Sequence, residues 1–271
     1  MRPGPVRDEV LLLRCIALGD TSLIVSALSA SRGKIRLVAK GAKTPRSRFV
    51  GLLDPGNEIE AIYYPRENRD LWTLSDAALR RAALTGAASL DKLSHLFAAL
   101  ELGDRMLGEL DAAAEYEPHF RQFLDTWHLG EDPEMASLFF ALELQILQES
   151  GWGIDVRRCG QCAHELDEDR ASWSAADGQL VCASCATGGG RWIDVHALLA
   201  LQRIDALRRW VPRSREDLDA FPGGLDLGTG PRRAVGRLLH EHMAFHLPRY
   251  RLPRSLYWLQ EAAAAMAAEA R

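Results

Sequence analysis

Gly33-Lys34-Ile35-Arg36-Leu37-Val38-Ala39-Lys40 repeats its apolar side chains at every second residue. That period belongs to a β-strand, with Ile35, Leu37 and Ala39 facing a core and Lys34, Arg36 and Val38 facing away from it. Upstream, Ser31-Arg32-Gly33 reads as a turn, Leu23-Ile24-Val25 as a strand, Gly19-Asp20 as a second turn, and Val10 to Ile16 as the first strand. Downstream of Pro45, Arg46 to Leu53 is expected to form a short helix, followed by strands at Glu58 to Tyr64 and Leu71 to Leu74. Five short strands with one small helix between the third and fourth match the element count of an OB-fold barrel. A five-stranded SH3-like barrel fits the pattern almost as well.

From about Ser89 the period becomes helical. Leu93, Leu96, Phe97 and Leu100 recur at threes and fours, continued by Met106, Leu107 and Leu110. A second helix carries Phe120, Phe123, Leu124 and Trp127, and a third starts at Pro133, a favoured first-turn residue, and carries Leu138, Phe139, Leu142, Ile146 and Leu147. Further helices are expected at 194–211, 231–247 and 254–270. The fold class is therefore α+β: an OB-fold domain over 1–80, then an α-helical domain over 81–271.

The 271 residues carry 47% hydrophobic and 26% charged side chains, ordinary globular usage, and a net charge of −4. That balance excludes a uniformly basic nucleic-acid binder and hides a strong asymmetry. Residues 1–80 hold 13 Lys/Arg against 9 Asp/Glu, residues 81–158 hold 6 against 14, and residues 159–271 hold 14 of each. The apolar run Val10 to Leu13 is too short for a signal-peptide core or a membrane span, so a cytoplasmic, reducing setting is expected.

Cys159-Gly160-Gln161-Cys162 and Cys182-Ala183-Ser184-Cys185 are the most specific feature of the chain. Two Cys-x-x-Cys pairs flanking a hairpin supply the four thiolates of a tetrahedral zinc site. The hairpin is Ala171 to Ser174, an Asp177-Gly178 two-residue turn, and Gln179 to Val181. Disulfides are disfavoured in a reducing compartment, and a redox Cys-x-x-Cys needs a single pair in a thioredoxin-like setting. Four cysteines close the coordination shell, so one structural zinc is expected, in an insertion at about 156–190.

Between Thr21 and Leu53 there is no Asp or Glu, while Arg32, Lys34, Arg36, Lys40, Lys43, Arg46 and Arg48 fall within that stretch. A solvated face normally mixes signs. A one-sign stripe on a barrel suits the phosphate backbone of nucleic acid, and with aromatics limited to Phe49, Tyr63, Tyr64 and Trp72 the contact is expected to be independent of sequence.

Catalytic motifs fail one by one. Gly41-Ala42-Lys43-Thr44 lacks the glycines of a phosphate-binding loop. His240-Glu241-His242 with His246 does not complete a zincin His-Glu-x-x-His, and these side chains are expected to decorate the surface of the C-terminal helix. No enzyme is expected.

Three segments together resemble the RecO family of bacterial DNA-repair proteins. They are Ser31 to Lys34 with Lys40 to Arg48, Leu142 to Cys162, and Arg237 to Leu259, in which Arg254-Ser255 stands for a basic-Ser pair. The resemblance implies an OB-fold domain, a helical domain and, in many members, a zinc module. It implies a non-enzymatic mediator that binds single- and double-stranded DNA, anneals complementary strands and, with RecR, helps load RecA onto strands coated by single-strand-binding protein. By the same resemblance Arg32, Lys34, Lys40, Lys43, Arg46 and Arg48 would contact DNA, and Cys159, Cys162, Cys182 and Cys185 the metal. Leu18-Gly19-Asp20 departs from the Tyr-Gly-Glu common in the family, and no segment matches a RecR or single-strand-binding-protein contact. A protein-binding zinc scaffold or transcription-associated factor without annealing activity is the alternative.

Overall fold

Ile35, Leu37 and Ala39 do point into the core of a closed five-stranded barrel. The computed structural model describes residues 4–66, 69–85, 88–107, 113–166 and 169–258. Its strands are β1 (Val6–Leu18), β2 (Ser22–Ser29), β3 (Gly33–Ala39), β4 (Glu58–Tyr64) and β5 (Trp72–Arg81). They close in the order β1-β2-β3-β5-β4, with β4 returning antiparallel to β1 and β3 running parallel to β5. This is the OB order, which settles the choice against the SH3-like alternative.

The unbroken run Val10 to Leu13 is buried throughout. Val10 and Leu12 belong to the barrel core. Leu13 falls where the β1–β2 register shifts, between Leu12 and Arg14, and it approaches helix α1 (Leu90–Met106) on the outside. The helix comes close because position 103 is glycine: a Cβ there would sit 3.2 Å from Leu13 Cδ2 and 3.0 Å from the Phe120 ring. Ser89 caps α1 by accepting the Lys92 N–H at 3.1 Å.

The helix expected over Arg46 to Leu53 does not form. The segment is instead a chain of turns, closed by Thr44 N–H to Gly41 C=O, Ser47 to Thr44 and Leu52 to Phe49. Gly41 and Gly51 take left-handed φ values of +70° and +72°, which interrupt any helix on either side. The turns still deliver Phe49 and Leu53 to the barrel core. Strand β5 runs further than the four residues its apolar pattern suggested, held to β4 by ion pairs from Arg80 to Glu60 and Arg81 to Glu58.

The chain divides into two compact units, Met1–Phe120 with Pro253–Arg271, and Arg121–Leu252. The division falls within the sequence of α2 (Glu117–Leu129); the second unit then contains α3 (Met135–Glu149), β6 (Arg170–Ser174), β7 (Gln179–Cys182), β8 (Arg191–Asp194), α4 (Val195–Leu207), α5 (Arg215–Asp219) and α6 (Thr229–His246). Helices α3, α4 and α6 pack on one another, and the three strands form a sheet in the order β7-β6-β8.

The β6–β7 hairpin is present, but Ser174 pairs with Gln179, so the loop is four residues long rather than two. Gly178, at φ +64°, closes it by donating its N–H to Ser174 C=O. Strand β8 was not expected; it pairs with the other edge of β6 and ends at Asp194, which caps α4 through the Ala197 N–H. Of the helix expected at 254–270, the last four described residues, 255–258, are helical, and the rest lies outside the described residues, as does Leu110.

Candidate metal centre and nucleic-acid interface

Two knuckles bring the four cysteines together. In the first, Cys159 N–H donates to His164 C=O and Ala163 N–H returns to Cys159 C=O; in the second, the N–H groups of Cys185 and Ala186 both point at Cys182 C=O. The turn at Cys162 forces Ala163 into the left-handed region, at φ +59°. The four Sγ atoms all lie within 4.8 Å of one another, and Cys162 Sγ is 3.8 Å from Cys182 Sγ. A tetrahedron with metal–sulfur bonds of about 2.3 Å has edges of about 3.8 Å, so the set fits a tetrahedral ion of that size. None of the four is in a disulfide.

Burial raises the Cys159 thiol, but backbone N–H groups of Cys182, Cys162 and Gln161 outweigh it and bring it down to about 6. Hydrogen bonding among the sulfurs works the other way at Cys185, pushed up to about 12 by Cys182 and Cys162. Four thiols crowded this closely do not all ionise on their own; a bound cation relieves that repulsion.

The three strands around the knuckles are anchored on α6. His242 donates from Nε2 to Trp152 C=O at 2.8 Å, and His246 from Nε2 to Ala175 C=O at 2.8 Å. The His246 ring stacks on Trp152 and the His242 ring meets Trp173 edge-on. Arg191 of β8 pairs with Glu241 at 2.8 Å. His242 is 1% exposed, so the expectation of a surface decoration is corrected: it belongs to the buried stripe Val235, Leu239, His242 and Met243.

The cationic residues of the barrel divide into two kinds. Arg32, Arg36, Lys40, Lys43, Arg46 and Arg48 are exposed. Among the described residues, none of the six has a carboxylate within ion-pair distance. Lys34 is different: it is half-buried against α1 and pairs with Asp104 at 3.0 Å. The loop carrying Lys40 to Arg48 is pinned beside the β1–β2 turn, since Lys43 N–H donates to Thr21 C=O at 2.9 Å and Lys43 Nζ to Gly19 C=O at 3.3 Å. Arg48 lies 5.2 Å from the Phe49 ring centroid, and Arg32 lies 5.8 Å from that of Trp72. Phe49 and Tyr63 face the core and Trp72 packs against it, leaving Tyr64 the most exposed of the four aromatics. Asp104 escaped the sequence reading, because only the packing of α1 on the barrel brings it to Lys34.

Comparison with known proteins agrees with this architecture. Residues 1–83 match the family model described as Recombination protein O N terminal, and residues 87–256 the one described as Recombination protein O C terminal. A DNA repair protein RecO from Anaeromyxobacter sp. (strain K) is 27% identical over 241 residues, covering 85% of this chain and 94% of that protein. One from Frankia casuarinae is 27% identical, covering 90% and 94%. One from Methylocella silvestris is 32% identical over 181 residues, covering 65% and 68%. With both models matched in order across the barrel, the helices and the four-cysteine module, the chain belongs to the Recombination protein O (RecO) family.

Proposed function

We propose that this protein is a non-enzymatic mediator of DNA repair and recombination, which binds single- and double-stranded DNA and anneals complementary strands without ATP. The observation that carries the reading is the set of exposed cations on and after β3, Arg36, Lys40, Lys43, Arg46 and Arg48, with no carboxylate partner among the described residues. Arg36 on β3 and Arg32 and Lys40, which flank that strand, follow one another at four-residue intervals, about 13 Å of extended chain, a spacing that can follow a phosphate backbone. Two strands neutralised on one protein repel each other less and meet at a higher local concentration, which speeds pairing without a nucleotide cofactor. The names of the relatives, DNA repair protein RecO, support the same role.

The four cysteines would hold one zinc ion. With all four positions filled by sulfur, the ion would supply cross-linking rather than Lewis-acid chemistry. By family resemblance the protein partners are RecR and single-strand-binding protein, the outcome is RecA loading, and the setting is the bacterial cytoplasm at the nucleoid. No described helix is long and apolar enough to cross a membrane.

The protein-binding scaffold keeps one supporting observation, an apolar groove of about 680 Å³ in the second unit, lined by Leu199, Trp210, Phe221 and Leu227. Salt dependence of single-strand binding separates the readings. A phosphate-tracking barrel gives a log–log slope of about 0.7 per phosphate contacted, lowered by Lys40→Glu/Arg46→Glu for every sequence alike. A slope near zero leaves the scaffold.

A further inference from the structure

The register of the barrel arranges its outward side chains in rows. Arg14 pairs with Ser26, and Ser26 with Arg36. Two residues along, Ile16 pairs with Ile24, and Ile24 with Val38. Two further along, Leu18 pairs with Ser22, and Lys40 follows the end of β3. An apolar row therefore lies between two rows that carry cations. Adjacent strands are about 4.8 Å apart and alternate residues about 7 Å, so the apolar row spans roughly 10 Å with basic groups about 7 Å to either side.

A face that only tracked phosphates would have no use for this row. Ile16 is 38% and Leu18 42% exposed, with Ile24 and Val38 half-buried beside them. Neighbouring apolar residues left open to water on a charged surface mark a contact surface. The charge beside them defines the occupant: Arg36 and Lys40, both without a carboxylate partner among the described residues, call for a polyanion. A polyanion that also offers apolar faces is a nucleic-acid strand with unpaired bases; in a duplex those faces are stacked on each other. Of the four barrel aromatics, Phe49 and Tyr63 are turned into the core and Trp72 packs against it, which leaves Tyr64 as the exposed one.

We propose that Ile16, Ile24 and Val38 form a base-contacting ledge, flanked by phosphate contacts from Arg36 and Lys40, which makes this face of the barrel select an unpaired strand over a duplex. The proposal rests on the reading that the barrel binds DNA, and adds which form of DNA this face prefers and why. After annealing, the paired bases no longer reach the ledge, so the product is held less tightly than either substrate strand.

The test is fluorescence anisotropy of the full chain with three probes of equal length: a single strand, an abasic single strand and a duplex. Wild type is expected to bind the base-bearing strand more tightly than the abasic one. Ile24→Thr/Val38→Thr keeps β-branched side chains in both strands and removes two apolar contacts. It should weaken base-bearing single-strand binding roughly tenfold, leaving the abasic strand, the duplex and the salt slope unchanged. Equal wild-type affinity for the two single strands, which needs no variant, overturns the ledge. So does a variant that weakens all three probes alike, or none. If instead Lys40→Glu/Arg46→Glu leaves every affinity intact, it is the DNA-binding reading itself that fails.

Discussion

Lys34 Nζ lies 3.0 Å from Asp104 Oδ1 and also donates to the Asp104 carbonyl oxygen, which ties the exposed side of β3 to α1. Burial raises the Asp104 carboxyl, but Lys34, the Ser26 hydroxyl and Arg14 together hold it below its ordinary 3.8. With the folded value lower than the unfolded one, the contribution to stability is complete above about 3.8 and is lost as the pH falls below it.

Asp104→Asn leaves the Lys34 ammonium without its carboxylate and should cost about 1 to 2 kcal/mol near neutral pH, between the values for an exposed and a fully buried pair. Denaturant unfolding should show that difference shrinking in acid. Lys34→Gln should also destabilise the protein while leaving the salt slope of DNA binding unchanged; Lys40→Gln should do the reverse, lowering the single-strand slope by about 0.7. Equal slope losses would place Lys34 on the DNA.

For the metal centre, one zinc per chain is expected in reduced protein by elemental analysis. Chelation or Cys159→Ser should remove it and lower the melting temperature. Isolated zinc fingers lose on the order of 10 kcal/mol; here the packing of α3, α4 and α6 should survive in part, and single-strand binding by the barrel should be retained. A reduced, untagged preparation without metal contradicts the site.

His242 gives a pH signature. Burial holds its imidazole below the ordinary 6.5, with His246 adding to the depression and the Trp152 carbonyl opposing it. Its Nδ1 is buried with no hydrogen-bond partner among the described residues. The folded state thus resists the second proton, and stability present above 6.5 declines as the pH falls below that value. Thermal melts should show this loss in wild type, and His242→Gln, which retains a donor for Trp152 C=O, should flatten it. An unchanged pH profile in the variant would assign the acid sensitivity elsewhere.

Glu143 behaves in the opposite sense. Burial pushes its carboxyl up to about 8, only partly offset by the Tyr250 hydroxyl at 3.5 Å. The folded state therefore prefers the neutral acid, and its ionisation becomes a growing cost as the pH rises from 4.5 towards 8. Glu143→Gln should stabilise the protein by a few kcal/mol in mild alkali and by nothing in acid, read from paired melts.

How much could be read before folding depends on the range of the signal. Ile35, Leu37 and Ala39 reveal the core side of β3 because a period of two is local, and the Cys159–Cys185 spacing reveals the knuckles for the same reason. Val10 to Leu13 announces burial on two sides by having no polar residue at all. The turns at 41–56 imitate a helix in composition, and left-handed Gly51 decides against it. Strand β8 is only four residues long, starts directly after Gly188-Gly189-Gly190, and takes its identity from pairing with β6. His242 could have been found: Val235, Leu239 and His242 follow helical spacing, so its burial is a pattern rather than an accident. Lys34 could not, since its alternation matches that of Arg36 and only α1 separates their fates.

The central claim is tested most directly by mixing two complementary fluorescent oligonucleotides without ATP, with wild type and with Lys40→Glu/Arg46→Glu. Rapid pairing by wild type, lost in the reversal while its thermal melt stays intact, is the predicted result. Pairing no faster than the spontaneous rate with wild type at low salt would contradict it.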